Sequence, residues 1–134
     1  MKLFNLSGRK TLEEASPVAF ADWKDAPHGT AISLPQDVEV EDLRSHLNEL
    51  TLIVLEFPIF RDGRAFTQAR SLREYEGYKG EIRASGHLLP DQAIHLKRCG
   101  FDSVALPEEA NTQDWDEQLS RYQFYYQNTA VSPV

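Results

Sequence analysis

The fold is decided by TLIVLEFPIFRDGRAFTQARSLREYEG, residues 51–77. Its first seven residues, Thr51 to Phe57, form a continuous β-rich apolar run, the pattern of a strand buried on both faces of a parallel sheet. Pro58 stops that run, because proline cannot donate to a ladder. After Gly63 the period changes. Ala65, Ala69, Leu72 and Tyr75 or Glu76 fall on one helical face, and Gly77 is a suitable terminator. The stretch is therefore one strand followed by one helix.

The same unit recurs on both sides. TAISLP, residues 30–35, reads as a short strand, and Asp37 is placed to cap a helix with Val40, Leu43, Leu47 and Leu50 on its inner face. GEIRASG, residues 80–86, is a third strand. Its helix carries Pro90 at a first-turn position and Leu89, Ala93 and Leu96 as an inward stripe, ending at Gly100. FDSVALP, residues 101–107, is a fourth strand. Asn111 or Thr112 then caps a last helix whose stripe is Trp115, Leu119, Tyr122 and Tyr126. Four βα units imply an α/β fold with a parallel sheet and helical crossovers. Two architectures satisfy this, half of a (β/α)8 barrel or a small open sheet. A half-barrel leaves sheet edges open, so a homo-oligomer, most simply a dimer, is expected to cover them. Residues 1–134 are expected to form one domain, with 1–28 as an N-terminal arm, or a strand plus loop.

Composition excludes several classes. No apolar run approaches the ~20 residues of a membrane helix, and the acidic, short-apolar start is unlike a secretory signal. Cys99 is the only cysteine, so no intrachain disulfide forms, and a reducing, cytoplasmic compartment is expected. His28, His46, His87 and His95 lack metal-site spacing, so no metal is expected. The net charge is −7, yet residues 61–100 hold eight Lys and Arg against five Asp and Glu, so that segment is +3 and the remainder −10. A basic island in an acidic chain is unsuited to nucleic acid, which needs a broad positive face. It suits a small anion or an acidic partner.

Parallel α/β sheets gather ligands at the carboxyl ends of their strands. The second such loop carries Arg61, Asp62, Gly63 and Arg64, where two guanidinium groups and a helix amino terminus could hold an oxyanion. Asp62-Gly63 is also a common turn pair, with Asp62 as a plain helix cap. The third loop adds Gly86 and His87, with Asp91 and Gln92 in the following turn. His87 lacks a partner at fixed spacing, and Cys99 reads as a packed thiol. Arg83 and Arg98 are candidate supports for the anion, while Arg70 and Arg73 are expected to face a partner. No GxxxxGK[ST], GxGxxG or nucleophile elbow occurs, so neither a catalytic residue nor a cofactor is assigned.

FPIFRDGR (57–64), ARSLR (69–73), GYKGEIRA (77–84), the Asp91-Gln92 pair and RCGFD (98–102) together resemble a bacterial family known as domain of unknown function 934. The resemblance spans roughly residues 51–106. The chain departs from the family's usual pattern at Thr67 (usually Ser), His87 (usually acidic) and Pro90 (usually basic), which further weakens His87 as a catalytic group. The resemblance implies a bacterial cytoplasmic protein, encoded beside assimilatory sulfite reductase in other members. It thus implies an accessory factor of sulfite reduction (sulfur assimilation and cysteine biosynthesis) that binds a small oxyanion or a redox partner such as a sulfite reductase component. Two alternatives stand beside it. One is a non-catalytic interaction module. The other is an oxidoreductase with an external cofactor, because one cysteine cannot form a redox dithiol.

Overall fold

The computed structural model describes residues 2–9, 12, 16–25, 29–35, 37–57 and 63–131, with the backbone alone at residue 25 and from 122 to 131. Pro58, Arg61 and Asp62 lie outside the described residues, as do the side chains of Tyr122 and Tyr126.

Six strands form one open sheet: β1 (Lys2–Asn5), β2 (Val18–Ala19), β3 (Ala31–Leu34), β4 (Leu52–Phe57), β5 (Glu81–Gly86) and β6 (Ser103–Leu106), in the order β1-β6-β5-β4-β3-β2. The strands from β2 to β6 are parallel, and β1 closes one edge antiparallel to β6. The four strands read from the sequence are β3 to β6, and the N-terminal segment supplies both edges. Each edge strand is short, four and two residues, which blunts it against further pairing. The sheet does not close, so the open alternative holds and the barrel alternative does not.

The helices are α1 (Phe20–Asp25), α2 (Arg64–Glu74), α3 (Ala93–Cys99) and α4 (Thr112–Val131), with 3-10 segments at Val40–Glu49 and Pro90–Gln92. Among the described residues, none is long and apolar enough to cross a membrane. Parallel neighbours follow chain order, and right-handed crossovers in that order place every connection on one side. The core agrees. Ile32, Leu34, Ile53, Leu55, Phe57, Ile82, Ala84, Val104, Leu106 and Phe4 share one sheet face and one cluster with Trp23, Leu43, Ala69, Leu72, Leu96 and Trp115 of the helical layer. The other face carries Ala31, Leu52 and Val54, then Glu81, Arg83 and Ser103.

Local details differ from the sequence reading at two caps. The segment expected from Asp37 begins at Val40 after Glu39, and it is wound as a 3-10 helix. Its period of three aligns Val40, Leu43 and His46, and the His46 ring meets Trp23 edge-on at 5.1 Å. Helix α2 starts after Gly63 without a side-chain cap, whereas α4 is capped as expected, by Asn111 Oδ1 accepting from the Gln113 N–H at 2.9 Å.

One side chain ties the layers together. Arg73, in the last turn of α2, donates through Nε to Gly100 O at 3.0 Å. Its Nη1 donates to Tyr78 O and Gly80 O, both at 2.8 Å, and Nη2 donates to Asp102 Oδ2. The same Asp102 oxygen accepts from the Ile82 N–H at 3.0 Å, and Asp102 O accepts from Leu6 N–H at 2.8 Å. Helix α2 is thereby joined to the starts of β5 and β6 and to the end of β1. Gly100 has φ 106°, and a Cβ there would lie 2.5 Å from Arg73 Cγ, so glycine answers both the left-handed turn and the close approach.

Replacing Arg73 would take the side-chain donor from three carbonyls and leave the Asp102 carboxylate with only the Ile82 N–H and the more distant Arg9. Arg73→Ala is therefore expected to lower unfolding free energy by about 3 kcal/mol or more, read as a lower urea midpoint. Arg73→Lys should recover only part, since an ammonium cannot reproduce the guanidinium fork. Gly100→Ala is expected to cost about 2 kcal/mol or more in the same assay, from the left-handed backbone and the clash together.

Candidate functional site

At the carboxyl ends of the strands, the expected oxyanion clamp rests on Arg61 as well as Arg64, and Arg61 lies outside the described residues. Arg64 is exposed and borders a groove of about 270 Å³ with Thr67, Gln68 and Ser71 of α2, and with Glu39 and Glu41 across from them. Among the described residues, two carboxylates face one guanidinium in this groove. Gln68 is buried and donates from Nε2 to Pro35 O at 3.0 Å and Val38 O at 2.9 Å, a tie between α2 and the loop after β3. Gly86 sits at φ 110°, where a Cβ would strike the Phe57 carbonyl oxygen, and the next N–H, of exposed His87, bonds that oxygen at 2.8 Å. Gln92 Oε1 accepts from the Leu89 N–H at 2.8 Å beside exposed Asp91.

The remaining arginines go elsewhere. Arg98 is exposed in the last turn of α3, and exposed Arg70 lies 3.6 Å from Glu74. Arg83 is 6% exposed on the sheet face opposite the helices, where it cannot reach Arg64. It donates to Ser103 Oγ at 3.1 Å and to Glu81 Oε2 at 2.8 Å. Arg73, expected to face a partner, spends its donors inside the chain. Cys99 is 5% exposed, with Sγ 3.9 Å from His95 Nε2, and burial pushes its thiol pKa up, as suits a packed residue. Among the described residues, no three His, Cys, Asp or Glu side chains are grouped to hold a metal ion.

The basic residues converge at the opposite end of the sheet. A cleft of about 380 Å³ lies where α2 and α3 end and β5 and β6 begin, lined by Arg9, Arg73, Tyr78, Lys79, Lys97 and Asp102 among others. It holds four cationic side chains and one carboxylate. Arg73 neutralises Asp102, and Arg9 Nη1 stands 3.5 Å from the same oxygen. Among the described residues, Lys79 and Lys97 have no ion-pair partner. The carboxyl ends of two helices oppose an anion here, each equivalent to roughly −0.5 charge. The side-chain balance of three positive charges outweighs both. Tyr78 floors the cleft: it is buried, the Arg73 guanidinium lies 5.7 Å from its ring centre, and its hydroxyl donates to Leu50 O at 3.1 Å.

This cleft lies at the amino ends of the strands, away from the carboxyl ends where α/β ligands usually sit. A signal was nevertheless present. Arg73 comes from ARSLR, Tyr78 and Lys79 from GYKGEIRA, and Gly100 to Asp102 from RCGFD. Three of the segments that carry the family resemblance thus meet at one place.

The described residues thus form an open, mostly parallel α/β sheet with a basic cleft at its amino end. The chain belongs to the family described as bacterial protein of unknown function (DUF934), whose model matches residues 31–134. Arg9 and β1 lie before that matched region. No curated protein and no solved structure matches the chain.

Burial raises the Tyr78 phenol above its ordinary value, against a smaller opposing pull from Arg73 and Arg9. The native state thus keeps a proton that the unfolded chain releases near pH 10. The stabilisation is fully present below about pH 10 and declines as pH rises further, by up to about 1.4 kcal/mol per pH unit. Tyr78→Phe is expected to remove that part of the alkaline slope in denaturation measured from pH 8 to 11.

Proposed function

We propose that this protein is an accessory factor of assimilatory sulfite reduction that binds a small oxyanion, without itself performing chemistry. The observation that carries the binding reading is the pairing of unpartnered Lys79 and Lys97 in one cleft with Arg9 and Arg73. Like charges held together at a concave surface repel, and an anion between them turns that repulsion into attraction. Sulfite and sulfate present several oxygens to mobile ammonium groups, so a flexible two-lysine clamp suits either. The sulfite context comes from the family resemblance and supplies a reason for an oxyanion. A competing reading, docking of a protein partner, is favoured by Tyr75, which is 82% exposed just past α2.

Isothermal titration with sulfite, sulfate and phosphate tests the binding reading. Dissociation constants at or below about 1 mM are expected at low salt. The Lys79→Ala/Lys97→Ala double variant should weaken binding by about tenfold or more, with an unchanged unfolding midpoint, because neither lysine has a partner to lose. No heat with any of the three anions, or binding indifferent to the double variant, overturns the assignment.

A further inference from the structure

We infer that the basic cleft takes an esterified tetrahedral anion, a phosphate or sulfate carried on a hydroxylated organic body, in preference to the free ion. This rests on the anion-binding reading above. A cleft of about 380 Å³ already falls in the size range of organic-ligand sites, roughly 300–1,000 Å³, and a bare oxyanion would leave most of it to water. It also does not end at Lys79. A second cleft of about 260 Å³ adjoins it and shares Tyr78 and Lys79 as common wall. The second cleft is lined by Leu47, Asn48, Glu76 and the two glycines that bracket the shared residues, Gly77 and Gly80.

The chemistry of the two halves differs. The first is cationic. The second has a single carboxylate, Glu76, whose charge is balanced by Arg44, with Nε at 2.6 and 3.1 Å from its two oxygens. That hydrogen-bonded guanidinium holds Glu76 below the usual carboxylate range, so it stays ionised and acceptor-only at neutral pH. The Glu76 side chain is only 4% exposed beside Arg44, so the pair closes this wall without adding net charge. Asn48 is exposed, and its amide has no partner among the described residues, so it offers both donor and acceptor. Glycine keeps the wall low. Gly77 at φ 68° has nothing within 4 Å of a Cβ position, and a Cβ on Gly80 would strike the Tyr78 hydroxyl. An anionic group on Lys79 and Lys97 thus has a neutral, hydrogen-bonding compartment beside it that fits a sugar-like body. Among phosphate and sulfate esters the geometry does not discriminate, since both present a tetrahedral anion on an oxygen bridge.

Isothermal titration with glucose-6-phosphate, glucose-6-sulfate, inorganic phosphate and inorganic sulfate tests this on the full chain. At least one ester is expected to bind about tenfold or more tightly than its own inorganic ion, and which ester does so identifies the source. Asn48→Ala should erase most of that margin while leaving the inorganic ion unchanged. Lys97→Ala should weaken ester and ion alike. Esters no tighter than their ions, with ion binding intact, overturn this inference and leave the oxyanion reading standing. An ester margin untouched by Asn48→Ala also overturns it. No binding of either kind overturns both.

Discussion

The guanidinium of Arg73 meeting the carboxylate of Asp102 is the contact on which the amino end of the sheet depends. Arg73 belongs to α2, and Asp102 is the residue before β6. Between them they fix the loop before β5, the turn after α3 and the exit of β1. A carboxylate at 7% exposure is tolerable only with donors on it, and here a guanidinium and a backbone N–H share one oxygen. The arrangement also has a geometric condition. Arg73 must pass close over the turn at Gly100, and only a residue without a Cβ admits it. The fold is therefore locked at its amino end by charge and at its centre by apolar packing.

The one-sided layering has a second consequence. The helical face is apolar except at its Lys2 edge, while the reverse face places Glu81, Arg83 and Ser103 side by side on β5 and β6, exposed 1%, 6% and 0%. Burying an ion pair is costly unless every donor and acceptor is met, and this one includes a serine hydroxyl that donates to Glu81 while accepting from Arg83. The pair is better understood as a specificity device for strand register than as a source of stability. A one-residue slip of β5 would drive both charges into the helical core.

Position explains why the basic island of an acidic chain becomes a cleft. Arg73 and Lys97 lie in last helical turns and Lys79 lies in the loop before β5, so the crossovers bring them to the same end of the sheet although they are spread over 25 residues. Cations in a last helical turn are also favoured by the helix dipole, which gives Arg73 and Lys97 a local reason to be where they are. That local reason does not account for Lys79, which lies in the loop and has no partner among the described residues. The coincidence of Lys79 and Lys97 is the feature that local structure leaves over, and it is the one on which the proposed binding rests.

The alternation of apolar strands with stripes of three-and-four spacing was enough to determine the βα units, the parallel sheet and most of the core. Those signals are local, because strand and helix periods are written in consecutive side chains. The family resemblance was equally legible, since its segments are short and contiguous. Tertiary structure alone decided the rest. The antiparallel edge at Lys2–Asn5 depends on pairing across some hundred residues, which no local period encodes. An open rather than closed sheet depends on edges that the four legible units do not contain. Arg73 and Arg83 look like any exposed basic residue in the sequence, and only folding assigns one to a carboxylate of β6 and the other to the far face. The candidate site was hidden for the same reason. Its charges come from an N-terminal arm, a loop and two helix ends, and only the sheet makes them neighbours.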